Sequence, residues 1–136
     1  MQDKVLYKLI ALAIFVVGLV IYLLTMPPTT SFWDSGEFIA TSYILGIPHS
    51  PGTPLYVLVG RVFSMLPLPL SIAERVNLLS VVFGALGVLM VYIITAWVIR
   101  FMYGEAKSPL GRFVRYAGPA VGSFYLMFSS TYWTDA

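Results

Sequence analysis

Between Arg75 and Arg100 the sequence reads VNLLSVVFGALGVLMVYIITAWVI, residues 76–99, without one charged side chain. A helix rises about 1.5 Å per residue, so a stretch of this length crosses a hydrocarbon core of about 30 Å with some tilt. No soluble domain needs such a run, and the rest of the chain is built in the same style. Of its 136 residues 59% are hydrophobic and 10% charged, against roughly a quarter charged in soluble domains.

Working outward, a second apolar run covers residues 5–24, with Lys4 and Lys8 at its start. A long lysine side chain near a span end carries its ammonium back to the headgroups. The run is too long for a signal-peptide core, and Thr25-Met26-Pro27-Pro28 offers no small-x-small cleavage site, so it reads as an uncleaved anchor. A third run follows Arg115 and extends from Tyr116 to about Trp133. Pro119 falls in its first turn, where a missing N–H does least harm. Gly118 and Gly122 form a G-x-x-x-G pair suited to close helix packing. The fold class expected is an all-α membrane protein with three transmembrane helices (about 5–24, 76–99 and 116–133).

Charge sets the orientation. Arg100, Lys107, Arg112 and Arg115 face a single acid, Glu105, in the 100–115 segment, and Lys4 and Lys8 stand against Asp3 at the start of the first span. The 25–75 segment holds Asp34, Glu37, Arg61, Glu74 and Arg75, a slight acidic excess. The positive-inside rule then places the N-terminus and the 100–115 loop in the cytoplasm and residues 25–75 outside it. In a bacterial cell that is an inner-membrane protein. The basic residues do not cluster with exposed aromatics, which excludes a nucleic-acid partner. The chain has no cysteine, so thiolate metal sites and a cysteine nucleophile are excluded too.

The external segment is not a low-complexity linker. It reads as two short amphipathic helices, about Ser35–Leu45 and Leu55–Met65, joined by a stiff turn containing Gly46, Pro48, Pro51, Gly52 and Pro54. Leu55–Leu66 is too short to span, so an interfacial or re-entrant helix fits it better. Phe32, Trp33, Tyr43 and Tyr56 suit a membrane interface. An ordered loop of this size costs conformational entropy and should have a use.

Asp34 and Glu37 are the only acids between the first span and Glu74. Three residues apart on a helix, they share one face. Such a pair can hold a divalent cation, or one carboxylate can act as general base. Asp34-x-x-Glu37 ahead of Phe38-Ile39-Ala40 is also a capping-box pattern, and spacing alone ranks capping first. A capped helix start would fix a carboxylate in place, so the readings are compatible. His49 is the only histidine; framed by Pro48 and Pro51, it could bind phosphate or carry a proton near neutral pH. Arg61 interrupts an apolar helix and calls for an anionic partner: Asp34, Glu37 or a lipid phosphate. Arg75 could grip a phosphate or simply flank a span. Ser35 sits in Asp-Ser-Gly-Glu rather than G-x-S-x-G, which argues against a hydrolase nucleophile. No Gly-rich phosphate loop is present.

Three ordered blocks carry a family likeness: Phe32-Trp33-Asp34-Ser35-Gly36-Glu37-Phe38-Ile39-Ala40, then Leu45-Gly46-Ile47-Pro48-His49-Ser50-Pro51-Gly52-Thr53-Pro54-Leu55-Tyr56, then Arg75-Val76-Asn77-Leu78-Leu79-Ser80. They resemble a bacterial membrane family long catalogued as a domain of unknown function, related to the transmembrane protein 260 O-mannosyltransferases and similar to a branch of the GT-C glycosyltransferases. The resemblance implies a multi-span inverting transferase that takes a sugar from a polyprenyl-phosphate carrier on the extracytoplasmic side and passes it to an acceptor protein. It implies that Asp34 is the base or metal ligand, with Glu37 as the second acid. It makes His49, Arg61 and Arg75 candidates for the phosphate or acceptor region. Such enzymes have many more spans, so the expectation is the N-terminal fragment of a longer chain. Two other classes compete: a transporter or flippase fragment, and a small non-catalytic membrane subunit.

Overall fold

The computed structural model describes residues 2–31, 34–49, 53–104, 108–130 and 132. The expectations placed on Phe32, Trp33, Ser50, Pro51, Gly52, Glu105, Lys107 and Trp133, and on the Lys4 side chain, lie outside what it describes. Five helices follow one another: α1 (Gln2–Thr25), α2 (Ser35–Ile44), α3 (Pro54–Ser64), α4 (Ile72–Tyr103) and α5 (Pro109–Met127). Among the described residues there is no strand. The chain divides into two compact units, residues 23–82 in one and residues 1–22 with 83–136 in the other.

Among the described residues two helices are long and apolar enough to cross a membrane, Val5–Thr25 of α1 and all of α4. Along α1 the apolar residues Val5, Leu9, Leu12, Val16, Val20 and Leu23 are exposed. A contiguous stripe of that kind is rare on a soluble monomer and ordinary against lipid. The 32 residues of α4 make about 48 Å of helix, longer than the apolar core, so its charged ends can lie outside it. Its start is a true capping box. Ser71 Oγ accepts from the Glu74 amide at 3.2 Å, and the Glu74 carboxylate accepts from the Ser71 amide at 2.7 Å. Hydrogen bonding to the carboxylate from the Ser71 backbone, then from the Ser71 side chain, holds the Glu74 carboxyl below its ordinary value.

The third apolar run departs from expectation. Helix α5 begins at Pro109, not near Tyr116, and ends at Met127, short of Trp133. Ser108 is the reason for the early start: its side chain accepts from the Gly111 amide at 3.0 Å, and Pro109 takes the first helical position, where it needs no N–H donor. Arg112 and Arg115 therefore lie on a helix, and Arg100 lies in the last turn of α4, so the expected 100–115 loop shrinks to the connection around Gly104. Gly104 leaves α4 at φ +66°, and its carbonyl accepts from the Arg115 guanidinium. Pro119 stands inside α5 rather than in its first turn. The helix keeps only Tyr116–Met127 free of charge, about 18 Å; Ser130 and Tyr132 are again helical beyond it.

Within this unit Ile14, Tyr22, Ala85, Val88, Tyr92 and Met127 are buried. Small residues set the contacts, but not the pair expected. A Cβ on Gly122 would meet nothing within 4 Å and one on Gly118 only the end of the Ile99 side chain at 3.7 Å, whereas one on Gly18 would lie 3.2 Å from the end of the Met127 side chain and 3.9 Å from Ala85. Two tyrosine hydroxyls are satisfied on backbone: Tyr22 donates to the Met127 carbonyl at 3.1 Å and Tyr132 to the Gly84 carbonyl at 2.8 Å. Away from water each such group needs a partner.

In the other unit α2 and α3 occur within one residue of the expected boundaries. Their faces are reversed relative to a soluble amphipathic helix. Helix α3 buries Val57, Gly60 and Ser64 and exposes Leu55, Leu58, Val62 and Met65. The crossing with α2 is made where Ser42 meets Gly60: a Cβ on Gly60 would fall 2.4 Å from Ser42 Oγ and 2.9 Å from its Cβ. Phe38 and Tyr56 add an edge-on ring contact at 5.3 Å. Asn77, one turn into α4, donates to the carbonyls of Pro27 and Thr29, each at 3.0 Å, and so pins the segment that leads into α2.

Gly60→Ala should destabilise this unit by about 1–3 kcal/mol, the usual cost of overpacking. Pairing it with Ser42→Gly should recover most of the loss. Hydrogen exchange along α2 and α3 reads the outcome; exchange unchanged in Gly60→Ala would contradict the close crossing.

Candidate active site

Helix α2 carries the site at its first turn. Asp34 occupies the N-cap position, and its carbonyl accepts from Phe38 at 3.0 Å, but its side chain makes no capping bond. Glu37 does not reach back to close a capping box either. The capping box suggested by Asp34-x-x-Glu37 is therefore not formed: the Asp34 side chain makes no cap bond, and the Glu37 carboxylate is committed to His49.

Its partner is His49. The His49 backbone N–H donates to Glu37 Oε1 at 2.7 Å, and His49 Nδ1 lies 2.6 Å from Glu37 Oε2. An ionised carboxylate only accepts, so Nδ1 carries the proton. The other ring nitrogen, Nε2, faces Asp34 Oδ2 at 3.7 Å. The imidazole thus stands between two acids, gripped by one and turned toward the other.

Chain geometry explains how residues twelve apart meet. Helix α2 ends at Leu45, which adopts the left-handed conformation (φ 55°, ψ 42°), and the Gly46 amide closes the end on the Thr41 carbonyl at 2.8 Å. A leucine there costs about 1–2 kcal/mol, since its Cβ crowds the following carbonyl. The reversal sends Gly46–His49 back along the helix it has just left. From Glu37 to Leu45 the helix rises about 12 Å, and four extended residues cover about 14 Å, which returns His49 to the first turn. Pro48 is buried and stiffens that return.

The electrostatics follow from the geometry. Hydrogen bonding from the His49 ring, then from its amide, holds the Glu37 carboxyl below its ordinary value. The bond to Glu37, the Glu37 charge and then the Asp34 charge raise His49 above its ordinary value. A lone pair on Nε2 aimed at an anionic oxygen would repel it, so the arrangement favours the imidazolium. One donor atom each from Asp34, Glu37 and His49 lies within 4.8 Å of the others, a spacing that a divalent cation could bridge. Such an ion would compete with the proton on Nδ1 and with the Glu37–His49 bonds.

The two arginines go elsewhere. Arg61 donates to the Tyr43 carbonyl and lies 5.6 Å from the centre of the Tyr43 ring. It caps the C-terminal end of α2, where a cation suits the helix dipole, and the expected pairing with Asp34 or Glu37 is not formed. Arg75 donates to the Leu66 carbonyl at 2.9 Å and, more weakly, to that of Ser71 at 3.4 Å. Neither is bonded to the acid–histidine cluster among the described residues. Sequence reasoning passed over Ser71-x-x-Glu74, the capping box that does form, and Asn77, which nothing but its place in the third ordered block singled out.

These observations define a class: an all-helical membrane domain with an acid–histidine cluster at the start of a short helix between its two long apolar ones. Residues 34–136 match the family described as the protein O-mannosyl-transferase TMEM260 N-terminal domain, and the chain belongs to that family. It is 32% identical over 89 residues to protein O-mannosyl-transferase tmem260 of Dictyostelium discoideum, and 37% identical over 78 residues to protein O-mannosyl-transferase TMEM260 of Mus musculus. Those alignments take in 62% and 57% of this chain but 11% of each relative. No solved structure matches the chain.

The linkage sign gives a pH window. The lowered Glu37 contributes stability above its unfolded value of 4.5, lost as pH falls through its folded value. The raised His49 contributes fully below 6.5, lost as pH rises through its folded value. The protection factor of the His49 amide should therefore be highest between those two pH values and should collapse in Glu37→Gln. A protection factor flat with pH and indifferent to that substitution would contradict the clamp.

Proposed function

We propose that this chain is the N-terminal part of a protein O-mannosyl-type transferase that moves a sugar from a polyprenyl-phosphate carrier to an acceptor hydroxyl on the extracytoplasmic face of a membrane. The observation that carries the reading is the state of Asp34. It sits at a helix start, its side chain is 54% exposed, and no cap bond consumes it. A carboxylate held open in this way can take a proton from an incoming hydroxyl. Family membership and the names of the relatives supply the reaction class.

In this reading the acceptor oxygen attacks the anomeric carbon while the bond from that carbon to the phosphate oxygen breaks. The electron pair leaves with the phosphate, and the acceptor proton goes to Asp34. Glu37 is not a second base here, because His49 occupies both of its oxygens. Arg61 and Arg75 serve the scaffold unless a bound donor draws their guanidinium groups away from the carbonyls they now hold. A divalent cation bound by Asp34 and Glu37 would supply charge stabilisation for the leaving phosphate.

The topology proposed is the one charge dictates, with the N-terminus inside, the α2–α3 segment outside, and a third crossing near residues 116–133. The exposed Leu55, Leu58, Val62 and Met65 suit a helix lying in the lipid interface, where a lipid-borne sugar would arrive.

In the longer protein that carries this segment, Asp34→Asn should lower kcat for sugar transfer by about 10²–10⁴-fold, the usual span for a general base, while membrane insertion is unchanged. Transfer at the wild-type rate would remove Asp34 from the reaction.

A further inference from the structure

The proposal above leaves Glu37 and His49 without a chemical task, yet they form the best-defined polar contact in the segment. Glu37 spends both oxygens on a single residue, one on the backbone N–H and one on the ring. A contact needed only to close the loop would be met by the backbone bond alone. The second bond fixes something more: the rotation of the imidazole about its own axis. With Nδ1 held, Nε2 has one direction in which to point, and that direction is Asp34 Oδ2, 3.7 Å away.

We propose that His49 is a positioning residue for the Asp34 carboxylate, and that Glu37 sets the imidazole in place to do it. This rests on the reading of Asp34 as the proton acceptor. The distance is longer than a direct hydrogen bond, as bonds between such groups often are before substrate arrives. When Nε2–H engages one oxygen of Asp34, the other oxygen is left to face the acceptor hydroxyl. The carboxylate then has one presenting edge instead of two interchangeable ones. The acceptor proton moves to that free oxygen as the new bond to the anomeric carbon forms, and His49 keeps its own protons throughout. The work done is orientation, and misplacing a reacting group by about 1 Å can cost about 10²-fold.

The alternative is that His49 only ties the Gly46–His49 return to α2. Two substitutions separate the roles, because each keeps one ring nitrogen. An asparagine amide nitrogen falls near the place of Nδ1 and keeps the bond toward Glu37. A glutamine amide nitrogen reaches the place of Nε2 and keeps the donor that faces Asp34. If His49 positions Asp34, His49→Asn should lose about 10–100-fold in kcat with KM little changed, and His49→Gln, which gives up the ring bond to Glu37 but keeps the donor toward Asp34, should lose several-fold less. A purely structural role gives the reverse order, or equal losses, and either result overturns the proposal.

The companion variant is Asp34→Asn, measured in the same longer protein with an isoprenoid phosphate mannose as donor. Adding His49→Asn to Asp34→Asn should cause no further loss, since the group being aimed is gone. A further loss of the size seen in the wild-type background would overturn the proposal. The two readings fail separately. Full transfer by Asp34→Asn removes the base and with it the proposal. An inactive Asp34→Asn beside a His49→Asn as active as His49→Gln removes the positioning role and leaves the base intact.

Discussion

Glu37 has two carboxylate oxygens, and His49 takes both. That pair of hydrogen bonds across twelve residues decides what the segment between α1 and α4 can be. It converts a proline- and glycine-rich return into a fixed strap along α2, and it removes Glu37 from the helix cap that spacing would give it. It also turns the ring toward Asp34. If His49 were bound only through its backbone, the strap would still close, but the imidazole would be free to rotate and the two acids would be unrelated. The one-turn spacing of Asp34 and Glu37 on α2 matters because the ring is wide enough to reach from one acid to the other.

The rest of the unit supports this contact from below. Helices α2 and α3 cross where Ser42 meets Gly60, closer than any side chain beyond hydrogen would permit on α3. The close crossing lets Phe38 and Tyr56 meet edge-on and brings Arg61 to the end of α2, where it neutralises the helix terminus. Leu45 in a left-handed conformation is the strained point, and the strain lies where the chain must reverse for His49 to return. Strained backbone close to a polar cluster is a common feature of sites whose geometry matters. At the other end Asn77 holds the carbonyls of Pro27 and Thr29 ahead of α2, and the Ser71–Glu74 box fixes the entry of α4.

Much of this was legible in the sequence, and the reasons are physical. Long charge-free runs announce spans, which is why α1 and α4 appear as read. Prolines and glycines punctuate helices, which is why α2 and α3 fall within a residue of their expected ends. The errors share a cause. Spacing alone cannot say which of several local partners a polar side chain will choose, so Asp34-x-x-Glu37 resembled a cap while Ser71-x-x-Glu74, the working cap, went unremarked. Ser108-Pro109 is a start signal that apolar periodicity does not register, and it puts Arg112 and Arg115 on a helix. The motif Gly118–Gly122 suggests glycine pairing, but closer approaches are at Gly18, Gly60 and Gly87, which find their partners only in three dimensions. The Glu37–His49 pairing is of the same kind. It joins residues separated by a helix and a turn, and no periodicity reports it.

Because His49 is the only histidine in the chain, its ring can be observed without assignment. Nitrogen-15 NMR of the imidazole, with the protein in lipid nanodiscs, tests the clamp most directly. The account predicts a ring whose Nδ1 carries a proton in a strong hydrogen bond at every pH at which Glu37 is ionised, with that signature abolished by Glu37→Gln. A ring that titrates as free histidine does, with the neutral form protonated mainly at Nε2 and unaffected by Glu37→Gln, would contradict it.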